Sequence, residues 1–305
     1  MMNTGRFCLG LALAAIGLCV PLQGTAQTAA GPGAIMSRSA DVGGVKLHYL
    51  TMGHGPTLFL LHGYTQTSRM WGPVIPLLAE KFTVIAPDLS GIGDLSIPVD
   101  GLDMKTAAIS IPALAKSLGV QKAGVVGHDI GLMVAYAYAA QFPAEVEKLV
   151  LMDAFLHGVP GSEDVYDNPG IWHFRFNSST LEELVRGRER IYFDYFWNDF
   201  AADRTHSIPE ADRVAYTAAY ARPGRMRAAW AYFVSAGSQG FRAALSDQAD
   251  ISCPCDRGEK ANGDVLARQM KLVASDVTVV VLEDTGHWVL EDRPKETADA
   301  LVKFL

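Results

Sequence analysis

Five short runs, Thr57–Leu61, Thr83–Ala86, Ala123–Val126, Lys148–Met152 and Val277–Leu282, constrain this chain more than any other feature. Each is largely apolar at successive rather than alternate positions, the pattern of a strand covered on both faces. Helical periodicity fills the gaps at Met104–Leu118 and Ile130–Gln141 and returns at Pro294–Leu305. Strands alternating with helices in this way predict a mostly parallel sheet with helices on both sides. Val45–Leu50 alternates instead, which predicts an edge strand.

The first residues read differently. Arg6 is followed by an uncharged apolar run, Phe7 to Val20, and then by Gly24-Thr25-Ala26, the form of a secretory signal peptide cleaved after Ala26. The run is shorter than the roughly 20 apolar residues a membrane span needs. A secreted or periplasmic protein without a stable membrane anchor is expected. About 280 residues remain, enough for one large α/β domain with an insertion. Charge is mildly acidic, formally −7, and dispersed, so nucleic acid is not an expected partner. Of four cysteines, two leave with the leader, and Cys253 and Cys255 are separated by one proline; no disulfide framework holds the fold together. The histidines show no paired ligand spacing, and neither metal nor cofactor is expected. A homodimer is left open.

Between Phe155 and about Ser235 the strand runs vanish, while Trp, Tyr, Phe and Arg crowd into helical patterns such as Leu181–Phe200 and Ala211–Ala221. Such an aromatic load suits a lid over a pocket, which has two faces to make apolar. The expected organisation is a core of residues 37–154 and 236–305, with a helical cap over 155–235.

Three segments carry chemistry. Gly127-His128-Asp129-Ile130-Gly131 has the form of the G-x-S-x-G nucleophile turn, a strand ending on a strained residue before a helix, with aspartate in place of serine. Taken alone, Asp129 reads equally as a helix N-cap. His62-Gly63-Tyr64, directly after a strand, is where such a site draws one oxyanion N–H, so Tyr64 and Ile130 are the expected backbone donors. Asp284-Thr285-Gly286-His287-Trp288 follows the last strand and places His287 as general base. Asp153, at the carboxyl end of its strand, is the expected acid partner of His287, with Glu283 and Asp284 as nearer alternatives.

Aspartate decides the reaction. A carboxylate that displaces a leaving group from saturated carbon forms an ester, and water activated by a histidine can cleave that ester. A serine attacking the same carbon would leave an ether the site could not release.

With Pro87-Asp88-Leu89-Ser90-Gly91-Ile92-Gly93 and Gly286-His287-Trp288 added, the chain from about Val42 onward resembles the epoxide hydrolase branch of the α/β-hydrolase superfamily, and within it the secreted bacterial members. The resemblance implies an α/β-hydrolase fold, a mostly parallel doubly covered sheet with an inserted helical cap, and a small-molecule epoxide as substrate. It implies His173 as the acid that opens the ring. His62, Trp172, Tyr232, Phe233 and Trp288 are expected around the substrate pocket. One departure stands out: where the family has a second ring-opening tyrosine, this chain has Phe233, with Tyr232 one position early, and phenylalanine has no proton to give. Ile251–Gly258 is also too short and polar for the buried strand the fold has there, so fraying is expected. Two other readings remain open: a dehalogenase, although Ile130 and Met133 supply neither the tryptophan nor the arginines such enzymes place beside the nucleophile, and a secreted effector that works by binding, its hydrolase site vestigial.

Overall fold

The computed structural model describes residues 33–93, 97, 104–205, 207–236, 252–258 and 265–305. The expected leader lies outside the described residues, and among those described no helix is long and apolar enough to cross a membrane.

Eight strands form one sheet in the order β1-β2-β4-β3-β5-β6-β7-β8. They are β1 Met36–Val42, β2 Val45–Met52, β3 Thr57–Leu61, β4 Thr83–Pro87, β5 Ala123–His128, β6 Val146–Met152, β7 Ser252–Gly258 and β8 Asp276–Leu282. From β4 to β8 all pairings are parallel, whereas β1–β2 and β2–β4 are antiparallel. Two sequence expectations are corrected here. The edge is β1, not Val45–Leu50, because Gly43 and Gly44, at φ 63° and 84°, make the two-residue turn of a hairpin that covers β2. The segment expected to fray is a strand: β7 pairs with β8 over seven positions and with β6 at Leu151 and Met152. Its backbone groups, rather than an apolar sequence, hold it there.

The helices are α1 Ile75–Leu78, α2 Met104–Ser117, α3 Ile130–Gln141, α4 Ser162–Tyr166, α5 Ser179–Val185, α6 Glu189–Asp199, α7 Glu210–Tyr220, α8 Arg225–Ala236, α9 Val265–Val273, α10 Val289–Asp292 and α11 Pro294–Phe304. α3 is buried at every position from Ile130 to Ala139, as a helix apolar all round must be. It packs on β5 and β6 and under α8.

The segment from α4 to α8 lies between β6 and β7 and contains no strand among its described residues. The periodic stretch Leu181–Phe200 is not one helix: α5 ends at Val185 and α6 begins at Glu189, across Gly187 at φ 75°. Glycine reaches that conformation cheaply and is the common residue just past a helix end. Rings from α6 and α8 close against one another and against Tyr64 of the core, whose hydroxyl donates to Tyr192 Oη and accepts from Trp230 Nε1.

Candidate active site

Because β3, β5, β6 and β8 run parallel, their carboxyl ends share one edge of the sheet, where open α/β sheets place their sites. Asp129 follows β5 at φ 52° and ψ −122°. Such a conformation costs a non-glycine residue about 1–3 kcal/mol. It also turns the side chain away from the helix it precedes: Asp129 makes no capping bond, which sets the N-cap reading aside. Close backbone approach enforces the turn. A Cβ on Gly131 would stand 2.3 Å from the Leu61 carbonyl oxygen, and one on Gly127 2.3 Å from that of Gly131.

Asp129 Oδ2 accepts the Tyr64 backbone N–H at 2.9 Å. Ile130 is fully buried as the first residue of α3, so its N–H has no acceptor within the helix. His287 Nδ1 lies 2.6 Å from Asp153 Oδ2, and its Nε2 lies 3.6 Å from Asp129 Oδ2. Asp153 is 1 % exposed. Asp284, one of the alternative acids, points outward with its side chain 77 % exposed, toward Arg293. Asp129, His287 and Asp153 therefore converge from three loops distant in sequence.

Burial alone would raise the Asp129 carboxyl, but His287 beside it and the Tyr64 N–H hold it below the ordinary carboxylate range. Burial alone would lower His287, yet Asp129 and Asp153 on its two sides carry it to about 10. At 3.6 Å Asp129 acts on that proton chiefly as a charge, while Asp153 is the hydrogen-bond partner. His128 Nε2 donates to the His287 carbonyl at 2.8 Å, and burial holds this imidazole neutral, down to about 3. His128, Asp153 and His287 bring ligand-type atoms within 4.8 Å of one another, but Nδ1 of His287 and Nε2 of His128 are committed to these hydrogen bonds.

A cavity of about 220 Å³ opens over the three residues. Tyr64, His173 and Trp288 line it, together with Phe155, Phe174, Phe196 and Phe200. Asn168, Gly170, Ile171 and Asp199 also line it, and among the described residues no Arg or Lys does. His173 is 6 % exposed, and its Nδ1 is buried without a hydrogen-bond partner. Burial holds it down to about 4, so it faces the cavity as a neutral imidazole.

Four residues expected at the pocket do not line it. His62 is fully buried behind it, accepting the Leu89 N–H at Nε2, 2.9 Å, and facing the Gly63 carbonyl through Nδ1; it staples two loops. Trp172 packs against Phe176, Tyr192 and Tyr195 within the helical segment. Tyr232 is turned away, its hydroxyl donating to the Ser90 carbonyl at 2.8 Å. Phe233 stands directly behind the lining, its ring 5.2 Å from that of His173 and 4.8 Å from Tyr64. Neighbouring residues on a helix diverge by about 100°, so Tyr232 cannot serve in the place of Phe233. Of the lining residues the sequence reading passed over, Phe196 and Phe200 carried a signal, the four-residue spacing of one helix face; Asn168 and Gly170 carried none.

The fold and the site define an enzyme of the alpha/beta hydrolase family with aspartate at the nucleophile position, and the family profile matches residues 58–300; the chain belongs to this family. Among individual proteins, it is 32% identical to the soluble epoxide hydrolase of Corynebacterium sp. (strain C12) over 279 residues, 88% of this chain and 97% of that one. It is 35% identical to the fluoroacetate dehalogenase of Burkholderia sp over 145 residues, 46% of this chain and 48% of that one. The crystal structure of the Cif epoxide hydrolase from Acinetobacter nosocomialis superposes with a TM-score of 0.81 at 27% identity, covering 91% of this chain and 90% of that one. The resemblance seen in the sequence, to epoxide hydrolases, is thus matched by a likeness of fold over most of the chain.

Proposed function

We propose that this protein is a secreted epoxide hydrolase that opens a small epoxide to a vicinal diol through an alkyl ester on Asp129. The observation that carries this reading is the position of the Asp129 carboxylate: strained into the cavity, ionised, one oxygen on the Tyr64 N–H and 3.6 Å from His287 Nε2. With Oδ2 seated on the backbone donor, Oδ1 is the oxygen that attacks. It bonds to an epoxide carbon, the carbon–oxygen bond of the ring breaks, and the leaving oxygen, hydrogen-bonded by the N–H of neutral His173, takes its proton from solvent water.

Esterification then changes the base. It removes the negative charge beside His287 Nε2, and that charge is part of what holds the imidazole protonated. His287 loses its proton more readily, deprotonates a water molecule, and the water attacks the ester carbon. Negative charge collects on Oδ2, where the N–H groups of Tyr64 and Ile130 receive it. Asp153 steadies the imidazolium that results, which gives its proton to the departing alkoxide oxygen as the ester carbon–oxygen bond breaks, freeing the diol and the Asp129 carboxylate.

The dehalogenase reading is less well supported. A haloacetate needs a cation for its carboxylate, and among the described residues the cavity lining holds three aspartates and no Arg or Lys. The assembled triad likewise weighs against a vestigial site.

His287→Gln tests the mechanism. The variant should still be alkylated and should accumulate the substrate's mass on the peptide containing Asp129. An adduct elsewhere, or turnover equal to the parent's, would sink the assignment.

A further inference from the structure

Gln66 and Glu291 meet between the two loops that bear the reacting groups. Gln66 is fully buried two residues after Tyr64, and Glu291 lies on α10, four residues after His287. Gln66 Nε2 donates to Glu291 Oε1 at 2.7 Å. That bond leaves two acceptor atoms, Gln66 Oε1 and Glu291 Oε2, buried with no hydrogen-bond partner. Two orphaned acceptors in one buried pair, one of them on an ionised carboxylate, are strongly unfavourable away from water. One proton on Glu291 removes the charge and converts an orphaned acceptor into the O–H donor the pair lacks.

Building on the roles given above to Asp129 and His287, we infer that Glu291 is a positioning residue that carries a proton at neutral pH and, as a neutral acid paired with Gln66, fastens the oxyanion loop to the histidine loop. The surroundings agree. Glu291 is faced by Asp292 on its own helix, by Asp212 and Tyr216 of α7, and by His287. Arg69, a cation that acts on Tyr216, is engaged by Asp212. Burial, with Asp292 and Asp212 adding to it, pushes the Glu291 carboxyl up to about 8. The oxyanion loop has its own fastenings to the cap, Tyr220 Oη donating to the Gln66 carbonyl and Trp197 Nε1 to Thr65 Oγ1. The Gln66–Glu291 pair is its link to the base. Above pH 8 the proton departs, the carboxylate seeks water, and the Tyr64 N–H and His287 lose their common anchor.

Glu291→Gln keeps a neutral pair and cannot ionise, so the experiment compares it with the parent. Between the ordinary glutamate value of 4.5 and about 8, the folded parent holds one proton more than its unfolded chain. Its stability must therefore fall relative to the variant by up to tenfold in the unfolding equilibrium per pH unit. Chemical denaturation at pH 5, 6, 7 and 8 reads this without any substrate, so its failure is separable from failure of the epoxide hydrolase reading. A parent-to-variant ratio that stays flat across that range overturns the protonated state. Turnover tests the positioning role: above pH 8 the parent should lose activity relative to the variant, and matching pH profiles overturn that role. Should the variant not fold, the parent's infrared spectrum serves. A protonated-carboxyl C=O band present at pH 7 and lost by pH 9 is expected, and its absence at pH 7 overturns the inference.

Discussion

At the scale of single residues, His173 is the one imidazole that the described residues of the cap bring to the cavity, and it is the proposed ring-opening acid. A positioned general acid contributes roughly 10²- to 10⁴-fold, so His173→Ala should slow single-turnover alkylation by that factor while leaving the fold intact. Tyr232→Phe should leave alkylation unchanged and cost about 1 kcal/mol of stability, the value of its bond to the Ser90 carbonyl. Phe233→Tyr should speed ring opening, because it puts a phenol beside His173. Stopped-flow alkylation of the three variants checks all of this, and a His173→Ala enzyme as fast as the parent refutes the assignment. Asp129, Asp153 and His287 were legible because each stands just beyond the end of a strand run, whereas His173, in the cap, was indicated only by the family resemblance. The supporting residues were not legible. Whether Tyr232 or Phe233 faces His173 depends on the rotation of α8, and whether His62 touches substrate or a neighbouring loop depends on how two loops cross; neither leaves a trace in local spacing.

Among secondary-structure elements, the elbow and the histidine loop rely on contacts that only glycine allows. Gly131→Ala drives a methyl group into the Leu61 and His62 carbonyls, and Gly286→Ala drives one to 2.3 Å from the Ala202 nitrogen. Backbone cannot rotate aside as a side chain does, so each should cost about 3 kcal/mol and most of the activity. Gly187→Ala, with nothing within 4 Å of the added carbon, should cost only about 1 kcal/mol of backbone strain and leave turnover intact. Thermal melts and kcat for the set separate crowding from strain. The elements themselves were readable where apolar runs coincide with strands. β1 and β7 were not, since both are held by backbone pairing with a neighbour rather than by apolar composition. The Gly43-Gly44 pair was the available sign of the first.

For the whole molecule, pH acts through the buried charges. His287 is raised above its ordinary 6.5, so its stabilising contribution is complete below that value and lost as pH rises through about 10. Asp129 is depressed, and its contribution is present above the ordinary 3.8 and lost in acid. The parent should therefore lose more stability than His287→Gln between pH 6.5 and 10, measured by denaturant midpoint. Export is the other molecular expectation: the mature protein recovered outside the cytoplasm should have the mass of residues 27–305, and retention of the first 26 residues would count against the leader.

The histidine loop is tied to the cap as well as to the sheet. The His287 N–H donates to the Phe200 carbonyl at the end of α6, and Gly286 lies against Ala202. A cap that swung wide to admit substrate would drag the base off its aspartate. Cap and base are fastened to one another, and the geometry around His287 holds only while the cap stays seated.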